Sequence, residues 1–324
     1  MCSSAYWLNI TLYAESIGFF SSITFHCALF ILVSEKTKEQ FGNYKYLMMI
    51  FSAFGSFYSF CNFLNRPKVH MTETSFIIFT VLDGGVFKKS VAEISITVYC
   101  SCYAMMIGIL AVQFFYRYMS VTRPMGLKLF SGKRMSGWIL LILGYSLAWG
   151  LITYFLDGPS KSKDEELESK FNQSYCLLPG QYAYVGPQYF TADPHGSLVY
   201  HLPSCIGILL LVLLLSVSVS SVVFFGVSTY QRLERLNLNS VLFKDLQKQL
   251  FRTLVFQTII PTLFMYLPVS VMFLMPWLGL PFGESANVIA ILLALYPSLE
   301  PIVAMILIDD FRKRIATGLK CFTH

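Results

Sequence analysis

Seven apolar blocks, each long enough to cross a bilayer, constrain this chain more than any other feature. They run over Thr11–Val33, Tyr46–Leu64, Ile94–Met119, Trp138–Leu156, His201–Tyr230, Thr253–Met275 and Ser285–Ile308. A spanning α-helix needs about 17–25 mostly apolar residues. Composition agrees: 13% of the 324 residues are charged, about half the share of roughly 25% carried by soluble domains. The expected fold is an all-α membrane protein, a single seven-transmembrane helix bundle over residues 1–324. An eighth stretch, Phe76–Val86, is shorter and is broken by Leu82-Asp83-Gly84-Gly85, a turn signal. It is read as part of a structured outer loop.

Basic residues set the orientation, because cytoplasmic flanks collect Lys and Arg. With an extracellular N-terminus, only Arg66, Lys68, Lys88, Lys89, Lys161, Lys163 and Lys170 of the 24 Lys and Arg fall outside. The sequons Asn9-Ile10-Thr11 and Asn172-Gln173-Ser174 then lie on the luminal side, where glycosylation of Asn9 and Asn172 is expected. Residues 1–8 have no basic segment, so the first span is expected to act as its own insertion signal.

The loop Asp157–Tyr200 divides in two. Its acidic half (Asp164-Glu165-Glu166 and Glu168) is expected to be solvated and partly disordered. Its half rich in Tyr, Gly and Pro is expected to fold as a lid over the outer mouth of the bundle.

Five of the eight cysteines, Cys27, Cys61, Cys100, Cys102 and Cys205, lie inside apolar blocks, where cysteine behaves as a small hydrophobe. No Cys/His cluster has metal-ligand spacing, and no nucleophile–base pair or phosphate loop appears. Neither a metal, a cofactor, a nucleic-acid partner nor an enzyme activity is therefore expected.

The inner end of the third span reads Tyr116-Arg117-Tyr118. Arg117 is either a headgroup anchor that snorkels or an inward-facing residue that holds the inner helix ends together. If it faces inward, helical spacing puts Gln113, Leu110, Met106, Tyr103 and Tyr99 on its stripe. Tyr99, Tyr103 and Met106 then become candidates for contact with a small, weakly polar ligand, because such sites are mostly apolar with a few placed polar groups.

Pro261 and Pro268 are expected to bend the sixth span, and Pro297 and Pro301 the seventh. Before the sixth span Lys244, Lys248 and Arg252 form a basic stripe beside Phe243, Leu246, Leu250 and Leu254. It meets either anionic headgroups or an acidic cytosolic partner. Glu300, Glu15 and His26 are intramembrane polar groups, a costly placement that marks function, although His26 is read as a satisfied core histidine. Residues 309–321 read as a short amphipathic helix along the inner leaflet, with Cys321 as a palmitoylation candidate.

Asn43-Tyr44-Lys45-Tyr46-Leu47-Met48, Tyr116-Arg117-Tyr118, Leu246-Gln247-Lys248-Gln249-Leu250-Phe251 continuing to Gln257-Thr258-Ile259-Ile260-Pro261-Thr262, and Tyr296-Pro297 through Phe311-Arg312 resemble the nematode seven-transmembrane chemoreceptors of the Str class, which includes the diacetyl odorant receptor. The resemblance implies a G-protein-coupled olfactory receptor in the ciliary membrane of sensory neurons, with a small environmental chemical and a heterotrimeric G protein as partners. It puts Arg117 in the place of the arginine that many such receptors carry at the inner end of the third helix. Tyr116 replaces the usual acidic neighbour, and Glu300 stands where many members of the class have aspartate. The outer-loop disulfide of rhodopsin-like receptors is not expected from Cys100 or Cys102, which lie about 25 and 23 Å outward from Arg117, too deep for Cys176. Cys2 is the other candidate partner. Two competing readings are a seven-span ligand-gated channel, which has the opposite orientation, and a small transporter, which would show internal repeats.

Overall fold

The computed structural model describes residues 4–35, 43–82, 88–192, 198–235 and 241–322, with the side chains among them other than those of 124, 192, 198, 241–247, 257 and 317–322. Among them are seven helices long and apolar enough to cross a membrane. The spans are α1 (Tyr6–Ser34), α2 (Tyr44–Asn65), α3 (Lys89–Thr122), α4 (Arg134–Leu156), α6 (Leu202–Arg235), the sixth span described below, and α9 (Asn287–Leu307). The outer-loop helix α5 (Lys161–Tyr175) precedes α6, and α10 (Asp309–Phe322) follows the last span. The C-terminal helix, expected at 309–321, is thus present.

Burial shows how the bundle is arranged. In α3, 67% of the most apolar window is inside the protein, against 28% in α4 and α6. The third helix is therefore the central post, packed against α2, α4 and α6, while α1 lies against α2 and α9. Ile206, Leu209, Leu213, Val217 and Phe224 of α6 are exposed, as suits side chains that face lipid. Close approach of α1 to α9 requires a residue without a side chain at Gly18, where a Cβ would collide with the Ala294 carbonyl. Small residues at such crossings are how membrane helices come close.

The sixth span is α7 (Val241–Pro261), a π-helical turn (Thr262–Tyr266) and α8 (Leu267–Leu274). Pro261 and Pro268 are both buried and bracket the π turn. Wide turns of this kind are where a helix absorbs lost hydrogen bonds. Pro297 and Pro301 lie inside α9, also buried.

Outside the bundle, β1 (Lys68–Met71), β2 (Phe76–Val81) and β3 (Tyr182–Val185) form an antiparallel sheet in the order β1-β2-β3. Ile78 pairs with Val185 and Val81 with Tyr182, so the two long outer loops are joined by one ladder. A short hairpin, β4 (Phe190–Ala192) with β5 (Leu198–Tyr200), follows. Of the stretch Phe76–Val86, read as part of a structured outer loop, Phe76–Val81 is the strand β2, and 83–86 lie outside the described residues.

The acidic half of the second outer loop is a helix, which corrects the expectation of partial disorder. Ser160 caps α5 through the Lys163 amide, and Asp164 stands in its first turn, both favourable at a helix N-terminus. Lys163, Leu167, Phe171 and Tyr175 recur every fourth residue, and all four are buried. The last three pack with Ile77, Phe79, Tyr182 and Tyr184 into a second small core on the face of the sheet turned away from the bundle. Glu166 and Lys170 pair at 2.9 Å along the same helix. The acidic residues decorate an amphipathic helix whose apolar side has somewhere to go.

Candidate functional site

Beneath the sheet is a cavity of about 50 Å³. One water needs about 10–15 Å³ on this measure, so the space suits a molecule of a few heavy atoms. Its walls are Tyr99 and Tyr103 of α3, Trp149 and Thr153 of α4, Leu211 of α6, Val269, Met272 and Phe273 of α8, and Leu293 of α9. Phe76, Val185, Gly186 and Pro187 close it from outside. Tyr99 and Tyr103, picked from the helical stripe, therefore line the cavity. Met106 is buried one turn further in and is not part of its lining.

The lid is pinned by its backbone. Lys163 of α5 donates from Nζ to the carbonyl oxygens of Asp157, Gly158 and Gly186, at 3.2, 2.6 and 2.7 Å. The Gly186 amide returns a 2.8 Å bond to the Asp157 carbonyl, and Tyr189 donates its hydroxyl to the Phe273 carbonyl at 3.0 Å. Gly186 sits at φ 153°, where a Cβ would strike the Phe76 carbonyl, so only glycine fits. Burial pulls the Lys163 ammonium down to about 8 and pushes the Asp157 carboxyl up to about 8, since both lose water. In the same outer layer His70 meets the Tyr175 hydroxyl at 3.2 Å, and burial pulls its imidazole down to about 4.

Polar contacts run beside the cavity and on below it. The Tyr58 hydroxyl of α2 lies 3.3 Å from that of Tyr99, and Asn62 donates to Tyr99 at 3.3 Å. Ser218 of α6 and Tyr266 of the π turn are 3.3 Å apart. Glu300 is buried one turn from Tyr296, whose hydroxyl bonds to it. The buried hydroxyl of Tyr103 has no hydrogen-bond partner among the described residues. His26 is a buried core residue, packed over Gly55 and in reach of the Pro297 backbone. Glu15 lies 4.0 Å from Lys68 of β1, which ties the first span to the sheet.

At the inner end, Arg117 is 2% exposed and does not reach toward headgroups. Its guanidinium carbon stands 3.4 Å from the centre of the Tyr44 ring and 5.8 Å from that of Tyr116. Nε and Nη2 have no hydrogen-bond acceptor among the described residues. Tyr116 is buried between Tyr44 and Phe130, and Tyr118 rests on Phe224 and Phe225 of α6. Gln249 of α7 donates to the Leu307 carbonyl at 3.2 Å, which couples the sixth and seventh spans at this level. Lys248 and Arg252 are exposed on α7, while Leu250 and Leu254 are buried. The side chain of Lys244 lies outside the described residues.

Asn9 is exposed on the first turns of α1, and Asn172 is exposed near the end of α5. Cys176 is disulfide-bonded, whereas Cys100 and Cys102 are free. Cys2 and the side chain of Cys321 lie outside the described residues. Sequence reasoning missed Asp157, Lys163, Trp149 and Tyr44. Asp157, Lys163 and Tyr44 sit at the end of a span or in a loop, where a charge reads as solvated and a ring as an interface anchor, and Trp149 lies inside α4, where an indole reads as one more apolar residue of the span.

Residues 11–316 match the family described as "Serpentine type 7TM GPCR chemoreceptor Str". The chain is 30% identical to "Serpentine receptor class r-10" of Caenorhabditis elegans, over 97% of this chain and 92% of that protein. It is 27% identical to "G-protein coupled receptor str-33" of the same organism, over 91% and 86%. Among solved structures, squid rhodopsin superposes with a TM-score of 0.66 over 99% of this chain and 88% of its own, at 12% identity. At that identity the likeness is one of fold alone.

Proposed function

The chain belongs to the Str family of seven-transmembrane chemoreceptors, and from that premise we propose that it binds a small environmental chemical in the outer cavity and activates a heterotrimeric G protein at its inner face. The observation that carries the reading is the pairing of two sites on one helix. Tyr99 and Tyr103 line the cavity, and Arg117 lies on the same buried stripe of α3. The rise from Tyr103 to Arg117 is about 21 Å. A ligand that prefers one arrangement of the outer helix ends shifts the population of the inner ends.

The prolines support this reading. The π turn between Pro261 and Pro268 puts a joint in the sixth span, level with the Ser218–Tyr266 contact. Swinging α7 about that joint would break the Gln249–Leu307 link and open the inner face near Arg117, Lys248 and Arg252. Tyr116, Arg117, Tyr118, Lys244, Lys248 and Arg252 are assigned to coupling. Tyr99 and Tyr103 are assigned to ligand contact, with Met106 one turn below them as support for the floor.

The orientation proposed puts the N-terminus outside the cell, Asn9 and Asn172 as glycan carriers, Cys321 as a site of acylation, and the protein in the ciliary membrane of sensory neurons. Two readings outside the receptor class are a ligand-gated channel and a transporter. The test is an epitope tag at each terminus in intact cells, stained before and after permeabilisation. The proposal expects the head to stain without detergent and the tail only with it. Staining of both termini on one side, or the reverse pattern, would overturn it.

A further inference from the structure

The outer cavity holds a polar group that the lid does not use. Asp157 lines it at the end of α4, is 1% exposed, and neither carboxylate oxygen has a hydrogen-bond partner among the described residues. Its neighbours are committed elsewhere. The Ser204 hydroxyl, which stands beside the carboxyl, gives its one proton to the Leu156 carbonyl at 3.3 Å. The Thr153 hydroxyl donates to the Trp149 carbonyl at 3.0 Å. The Lys163 ammonium is spent on three backbone carbonyls. The carboxylate lies over Gly207 of α6, where a side-chain carbon would come within 3.0 Å of it. An unpaired carboxylate in a dry site is costly, and what offsets the cost is a cation or a strong donor brought by something else.

The remaining walls say what else that molecule carries. The cavity is ringed by Phe76, Tyr99, Tyr103, Trp149 and Phe273, with Trp149 5.4 Å from Tyr103 and 6.4 Å from Phe273, ring centre to ring centre. Aromatic faces attract a cation and also pack against an alkyl chain. Trp149 is two turns inward from Asp157, about 12 Å along the helix, so a short molecule held at Asp157 points its tail toward the indole. The volume limits that tail to a few carbons.

Building on the receptor reading above, we propose that the ligand is a small primary alkylamine, whose ammonium group pairs with Asp157 while its carbon chain lies against Trp149 and the α3 tyrosines. Burial pushes the carboxyl up, and an arriving ammonium favours its charged form.

The test uses the purified full chain in lipid nanodiscs, with thermal stabilisation and calorimetric binding as readouts. The probes are primary amines of two to six carbons, each paired with the alcohol and the aldehyde of the same skeleton. The amines are expected to bind and the neutral partners to bind at least tenfold more weakly. Asp157→Asn is expected to lose about thirtyfold or more in amine affinity, the worth of one charge-assisted hydrogen bond. Asp157→Glu should retain part of it, and the melting temperature of each unliganded variant reports folding separately. Binding of the neutral members alone, or amine binding unchanged in a folded Asp157→Asn, overturns the amine assignment and keeps the cavity as the ligand site. Silence of the whole panel toward a folded wild type overturns both.

Discussion

Arg117→Ala is expected to reach the cell surface at near wild-type levels yet lose at least about tenfold in ligand-stimulated nucleotide exchange, about 1.4 kcal/mol of coupling. Two opposing effects keep the fold intact. The variant loses a cation–π stack on Tyr44, worth about 0.5–2 kcal/mol. It also sheds two buried donor nitrogens, Nε and Nη2, that have no acceptor among the described residues, each costing about 1–3 kcal/mol. On the proposed function, what the variant gives up is donors that meet acceptors arriving from the cytosol. Arg117→Lys is expected to rescue poorly, because an ammonium offers neither the planar stack nor the forked donors. Surface staining together with exchange on a purified G protein checks this, and full signalling by Arg117→Ala would reduce Arg117 to a packing residue.

Lys163→Met is expected to be the most destabilising single change in the outer layer, by about 3 kcal/mol. The methionine keeps the aliphatic packing of a side chain that is buried, so the loss isolates the ammonium. Without it the carbonyls of Asp157 and Gly186 lose a donor, and the Asp157 carboxyl loses its nearby positive charge. The lid strand β3 then keeps its ladder to β2, the Gly186–Asp157 backbone bond and the Tyr189–Phe273 link but loses the charged tie to α5. A lower melting temperature of the purified receptor should accompany weakened ligand binding. An unchanged melting temperature would mean that the lid is secured by the sheet and that the three carbonyl contacts are incidental.

The spans were legible because the bilayer imposes one simple demand, a long apolar run, and the boundaries of α2, α4 and α9 lie within a few residues of those runs. The same reading works poorly outside the membrane. In α5, four charges within five residues from Asp164 to Glu168 look like a solvated loop unless Leu167, Phe171 and Tyr175 are seen to share a face. Even then, nothing in the sequence says that Ile77 and Phe79 come from another loop to meet them. Lys163 and Asp157 were hidden for a related reason. A charge beside a span end is ordinarily solvated, and only the lid folding back over the bundle buries both. Arg117 was half legible: its position on the stripe with Tyr103 and Tyr99 followed from helical spacing, whereas its choice of the Tyr44 ring depends on how α2 crosses α3.

The claim on which the rest depends is that the outer cavity is where a signal enters. Val269 faces that cavity from α8, and Val269→Phe puts a ring where the ligand is expected to lie, far from Arg117. Cells expressing the wild type, tested against a panel of small volatile and water-soluble compounds, should show ligand-stimulated nucleotide exchange. Cells expressing Val269→Phe at equal surface density should show basal exchange only. A response of the same size and potency in the filled variant would contradict the account and move the ligand elsewhere.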